Sequence, residues 1–125
     1  MLDSPGGDLE AAMELGRLIR LREVQTQGEP GGSCASACVW AFAGGRDRFY
    51  QFWGGPLLVH RFDGPNGDHG EATAQSEVAR ISSYPDEMGL DHQLLELSLE
   101  TPSEIGTATI RRDGVTATLI KRPIP

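Results

Sequence analysis

Apolar positions along the chain recur with different periods, and each period predicts an element. From Leu9 onward, Leu9, Ala12, Met13, Gly16 and Ile19 repeat at helical spacing, with Leu15 at the edge of the stripe. Glu10, Glu14 and Arg17 take the opposite face. Asp8 is a good N-cap residue, so the pattern predicts a helix from Leu9 to near Arg22. Upstream, Leu2 and Asp3 read as the end of a strand. Ser4-Pro5-Gly6-Gly7 reads as a turn in which proline fixes φ and the glycines permit positive φ. Val24 to Gln27 reads as a short strand, and Gln27 to Gly32 as loop. A small-residue turn, Gly32-Ser33-Cys34-Ala35, then runs into Ala37-Cys38-Val39-Trp40-Ala41-Phe42-Ala43. A helix apolar on every side is a buried helix. It is predicted from about Ser36 to Gly44, with Gly44-Gly45 as its stop.

Further on, Arg48 to Phe52 is strand-like until Gly54-Gly55-Pro56 breaks it. Leu57-Leu58-Val59-His60 is the short apolar run of a buried strand, ending on His60. Arg61 to Gly70 is a polar, glycine-rich loop. Ala74, Val78, Ile81 and Tyr84 predict a second amphipathic helix that Pro85 limits, and Asp91 to Leu99 predicts another short helix. Thr107 to Arg112 and Val115 to Ile120 are β-rich, and Asp113-Gly114 between them is a strong hairpin signal. The alternation of strand and helix predicts an α/β fold with a largely parallel sheet, in which Leu2-Asp3, Val24 to Gln27 and Leu57 to His60 are neighbouring strands and to which the terminal hairpin is added. Residues 1–101 are expected to form one domain, and residues 102–125 a β-hairpin extension or divergent C-terminus. Almost none of the strand expected before the Ser-Pro-Gly-Gly turn is present, so the chain reads as truncated at its N-terminus.

The 125 residues suffice for one domain with a modest core. The net charge of −7, with acids and bases interspersed, argues against nucleic acid or an anionic membrane as partner. No signal peptide opens the chain and no run is long enough to span a membrane. Cys34 and Cys38 flank Ser36 at i, i+4 and read as small buried hydrophobes. They are expected to be free thiols, because adjacent turns rarely give disulfide geometry; a bridge would need an oxidising compartment. No Cys/His spacing suggests zinc, and no metal or cofactor is expected. His69 and His92 read as solvated, Trp40 and Phe42 as core, and Trp53 as core edge. Arg46 and Arg48 are placed to complement the C-terminus of the buried helix. Lys121 is the sole lysine, which disfavours a Ser–Lys dyad.

The Gly6-Gly7 turn, Ser36 and His60 all fall at strand ends or helix starts, which in α/β folds gather on one side of the sheet. A Ser–His pair with backbone donors is the minimum for acyl transfer. His60 would take the proton from Ser36 Oγ, and the N–H groups of Gly7 and Ala37 would hold the oxyanion. The plain alternative is that Ser36 only caps the helix. Leu2-Asp3-Ser4-Pro5-Gly6-Gly7 resembles the hydrophobic-Asn-Ser-Pro-Gly-Gly motif of the Clp proteolytic subunits. Cys34-Ala35-Ser36-Ala37 is similar to that family's Ala-Ala-Ser-Met nucleophile motif, and Val59-His60-Arg61-Phe62 to its Ile-His-Gln-Pro segment. A nearer likeness is to Clp-like proteins, often predicted to be periplasmic, that carry Cys-Ala-Ser-Ala-Cys. The resemblance runs from Leu2 to about Thr101.

The resemblance implies the stacked β-α-β units of the Clp/crotonase superfamily and a serine peptidase-like hydrolase with Ser36 as nucleophile and His60 as base. It implies a peptide or protein substrate, a homo-oligomer for the full-length protein, and a periplasmic or secreted location as one option. It also implies an Asp behind the histidine. The aligned stretch, Leu95 to Glu100, has none, and Asp86 and Asp91 are out of register, which leaves Glu96, Glu100, Ser98 or a backbone carbonyl for that role. Two other functions use the same features: a crotonase-type acyl-CoA enzyme, which needs the paired N–H groups and not Ser36, and a non-catalytic binding or assembly module.

Overall fold

The first helix, α1 (Leu9–Leu21), begins and ends where the pattern places it. Asp8 accepts the Ala11 N–H at 2.8 Å, while Glu10 in the first turn and Arg20 in the last oppose the helix dipole. At its C-terminus Glu23 takes a positive φ of 54°. The Val24 N–H then reaches the Ile19 carbonyl and the Glu23 N–H that of Arg20, so a Schellman motif closes the helix with a glutamate in the usual glycine position. The computed structural model describes residues 1–49, 57–59, 79–100, 104–110 and 115–123, with side chains described for residues 1–49, 57–59 and 79–96.

The architecture is α/β, with strands in two small sheets. In one, β1 (Thr26–Gln27) runs parallel to β3 (Arg48–Phe49). In the other, β2 (Cys34–Ala35) runs parallel to β4 (Leu57–Val59), with Cys34 opposite Leu57 and Ala35 opposite Leu58. The chain start joins them: Leu2 bridges Gly28 just beyond β1, and Ser4 bridges Cys34 in β2, both in parallel sense. The expectation of Leu2, Val24–Gln27 and Leu57–His60 as neighbours in one sheet is therefore corrected. Leu2 neighbours the first strand, but Leu57 belongs to the other sheet, and β2, read as a turn, stands between. Two residues are too few to show a period, and only their long-range partners make them a strand.

The C-terminal hairpin strands, β5 (Glu104–Ile110) and β6 (Val115–Pro123), are present, with Ile110 opposite Val115; the Asp113-Gly114 turn expected between them lies outside the described residues. These strands are not merely appended, because β5 pairs antiparallel with β4 and completes the order β2-β4-β5-β6. Of the expected second amphipathic helix, residues 79–81 are helical and residues 74–78 lie outside the described residues. A new turn, α3 (Tyr84–Glu87), starts with Pro85 in its first positions, where the missing N–H costs nothing. The last helix is α4 (Gln93–Glu100).

The second helix, α2 (Ala37–Ala43), is buried along its whole length, as its composition requires. It packs on α1 through a glycine contact. A Cβ on Gly44 would strike the backbone of Gly16, and one on Gly16 would strike the Tyr84 hydroxyl. Trp40, Phe42, Tyr84, Ile81, Leu57, Val59 and Leu94 close the core around it. A buried helix leaves its last four carbonyls without helical partners, and burial makes each one costly. Here all four are met. The Trp40 carbonyl accepts from Tyr84 Oη at 2.6 Å, and that of Phe42 from Thr26 Oγ1 at 2.8 Å. The Ala43 carbonyl accepts from Arg48 Nε at 2.9 Å, and the Ala41 carbonyl from the Gly44 N–H. Arg48 also donates to the Met88 carbonyl at 2.5 Å, joining the ends of α2 and α3. Burial pulls its guanidinium down to about 10, with Arg20 adding to the effect, and it stays charged at neutral pH.

Candidate active site

Ser36 stands at the junction of β2 and α2. Its backbone takes φ 55° and ψ −123°, a region that a residue with a Cβ occupies only under strain. The chain is fixed on both sides of it. The Ser36 N–H donates to the Leu58 carbonyl at 2.7 Å on the strand side, and the Ser36 carbonyl accepts from the Val39 N–H at 3.0 Å on the helix side. The hydroxyl makes no capping hydrogen bond, so the bland reading of Ser36 as an N-cap is not the one it fulfils. A strained strand-to-helix turn with a hydroxyl that does not cap the helix is the device that lifts a nucleophilic serine clear of its neighbours.

The Ser-Pro-Gly-Gly turn lies directly on this junction. Gly6 and Gly7 take φ values of 110° and 148°. A Cβ on Gly6 would come within 2.8 Å of Ser36 Cβ and 2.9 Å of the Ala35 carbonyl oxygen, so only glycine fits there. Two ladder bonds hold the approach: the Ser4 N–H donates to the Ser33 carbonyl at 2.8 Å and the Ala35 N–H to the Ser4 carbonyl at 2.9 Å. The Gly7, Ala37 and Cys38 N–H groups make no hydrogen bond among the described residues. Beside them opens a groove of about 200 Å³, lined by Gly6, Gly7, Ala37 and Cys38 and by apolar side chains of α1 and α2, among them Ala12 and Leu15.

Cys34 and Cys38 are not the free thiols expected; they form a disulfide. The expectation placed both on or beside one helix. Cys34 is instead in β2, and the turn at Ser36 brings the two Cα atoms to 5.3 Å, inside the range a disulfide spans.

His60, the expected base, lies outside the described residues, as do His69, Trp53 and the side chains of Ser98 and Glu100. The Glu96 side chain is exposed on α4. His92 is exposed as expected, with Nε2 3.2 Å from Asp86 Oδ1. Among the described residues no cluster of three or more His, Cys, Asp or Glu could hold a metal ion, and no helix is long and apolar enough to cross a membrane.

No family model, curated protein or solved structure matches the chain. The functional reading therefore rests on the site. Sequence spacing pointed to Ser36, Gly7 and Ala37, and the structure brings the Gly6-Gly7 turn against the Ser36-Ala37 junction. Sequence missed the close-approach role of Gly6 and the bridge across Ser36. The signal for the first was present, since a Gly-Gly pair after proline marks a backbone that must approach something closely.

Proposed function

We propose that the chain is a serine peptidase-like hydrolase of the Clp/crotonase superfamily, acting on a peptide or protein substrate, with Ser36 as nucleophile and His60 as general base. The observation that carries the reading is the conformation of Ser36: backbone strain at the residue with the reactive hydroxyl, which caps nothing, against a glycine turn. Ser36 Oγ attacks the scissile carbonyl carbon and its proton passes to His60. The carbonyl oxygen, now carrying the charge, lies toward the Gly7 and Ala37 N–H groups. Collapse breaks the C–N bond, and the amine leaves with the proton from His60. Water, deprotonated by the same histidine, then releases the acyl group from Ser36. The full-length protein is proposed to work as a homo-oligomer. The disulfide supports a periplasmic or secreted setting, where such bonds persist.

A crotonase-type acyl-CoA enzyme would use the same N–H pair to polarise a thioester and would leave Ser36 without a task. Strain located at Ser36 itself favours the serine reading. The test is labelling with a fluorophosphonate probe, whose phosphorus takes Ser36 Oγ as fluoride leaves. Labelling is expected for the parent protein, absent in Ser36→Ala and strongly reduced in His60→Ala. Labelling that survives Ser36→Ala removes Ser36 from its role.

A further inference from the structure

We infer that the Cys34–Cys38 disulfide is a positioning element of this site, so that the oxidised chain holds Ser36 in its attacking conformation and the reduced chain releases it; this rests on the reading of Ser36 as the nucleophile. Only Ala35, Ser36 and Ala37 lie between the two cysteines. Both ends are anchored. Cys34 is paired to Leu57 and bridged to Ser4, and Cys38 sits in the buried first turn of α2. The turn between strand and helix is made at Ser36, whose positive φ an L-residue leaves when free to do so. The hydroxyl makes no capping bond that would hold that conformation. The hydrogen bonds at Ser36 fix the strand side and the helix side separately, whereas the disulfide ties one side to the other covalently. A return of Ser36 to negative φ would swing Cys38 away from Cys34, and the bridge forbids it.

The bridge also borders the groove. Both cysteines are buried, but Cys38 lines the groove beside Gly6, Gly7 and Ala37. A dithiol reductant entering there would attack the Cys38 sulfur and form a mixed disulfide as Cys34 leaves as thiolate. The reductant's second thiolate then releases Cys38. The reductant gives up two electrons and two protons, ends as its own disulfide, and leaves two thiols astride Ser36.

The experiment uses the full chain in three forms: oxidised, reduced with dithiothreitol, and Cys34→Ala/Cys38→Ala. Each is titrated with a fluorophosphonate probe to separate kinact from KI, with far-UV circular dichroism as the check on folding. The Ser36 Cα and Cβ resonances are recorded in parallel. Loss of the bridge should lower kinact on the order of a hundred-fold, the penalty for a reacting group displaced by about 1 Å, with KI little changed. The Ser36 resonances should leave their positive-φ values, and re-oxidation should restore both. A merely structural bridge would reduce the fraction labelled and not the rate constant of the folded fraction. An unchanged kinact with unmoved Ser36 resonances overturns the inference and leaves Ser36 as nucleophile. Loss of the helical signal in both the reduced and the variant forms makes the bridge a fold staple and also overturns it. An oxidised chain that never labels overturns the nucleophile reading and this inference together.

Discussion

Replacing Ser36 by glycine should stabilise the protein while abolishing the proposed chemistry. Ser36 has φ 55° and ψ −123°, and a conformation of that kind costs a residue with a Cβ on the order of 1–3 kcal/mol. Glycine adopts it freely, at an entropic cost of about 0.5–1 kcal/mol from the looser unfolded chain. The difference is a gain of about 1 kcal/mol, toward the lower end because the Cβ removed rests against Gly6. Ser36→Ala is the control. It keeps the Cβ and therefore the strain, and it removes a hydroxyl that caps nothing, so its stability should stay within about 0.5 kcal/mol of the parent. Both variants lose the hydroxyl; they differ in the strain and in the glycine's entropic cost. The assay is urea unfolding with the disulfide intact. At an m-value of about 1–3 kcal/mol/M, a gain of about 1 kcal/mol moves the midpoint upward by roughly 0.5 M. A glycine variant no more stable than the alanine variant would refute the claim that Ser36 is strained, and with it the observation on which the proposed function rests.

Two further predictions concern the scaffold. Gly16→Ala gains helix propensity but drives a methyl into the Tyr84 hydroxyl, for a net cost of about 1–3 kcal/mol, and Tyr84→Phe leaves the buried Trp40 carbonyl without that donor, at a similar cost. Combined in a double-mutant cycle, they should cost less than their sum by roughly 1 kcal/mol, because the phenylalanine no longer presents the oxygen that the methyl strikes; strict additivity in urea unfolding refutes the contact. The hydrogen bond from Arg17 Nε, at 2.7 Å, holds the Glu87 carboxyl below its usual range, and an acid depressed in the folded state adds stability above its unfolded value of 4.5 and loses it as pH falls through the folded one. With both side chains about two-fifths exposed, Glu87→Gln should cost under about 1 kcal/mol at neutral pH and nothing in acid, and an equal loss at both refutes the linkage.

Elements specified by nearby residues were legible in the sequence. Asp8, the Leu9-to-Ile19 stripe and the end near Arg22 define α1; the unbroken apolar run defines α2; the two β-rich runs near the C-terminus mark the hairpin strands. What was not legible depends on residues far apart. Strand β2 is two residues long and exists because Ser4 and Leu57 flank it. The carbonyl partners of α2 come from Thr26, Arg48 and Tyr84, and only the Arg48 contribution has a local signature, a cation just past a helix end. The disulfide was misread for the same reason: i, i+4 spacing was judged as helix geometry, and the strand-to-helix turn at Ser36 replaced it.

The strain at Ser36 and the saturation at the other end of α2 are two sides of one arrangement. A strained residue persists only when its surroundings over-determine it. If α2 could shift along its axis or roll, Ser36 would relax and carry the helix with it. The C-terminal bonds oppose that from the far end of the helix, and the disulfide opposes it across Ser36 itself. Tyr84, Thr26 and Arg48 reach α2 from three separate segments, and the Gly16–Gly44 contact fixes how closely α1 lies against it. At the Ser36 end the Leu58 carbonyl, the Gly6 backbone and the disulfide set the remaining freedom. A short helix clamped at both ends by unrelated parts of the chain is a costly way to build a core, since each clamp orders groups that a longer amphipathic helix would leave in water. The same clamping is what a reactive side chain needs if it is to be held ready for a substrate rather than assembled on its arrival.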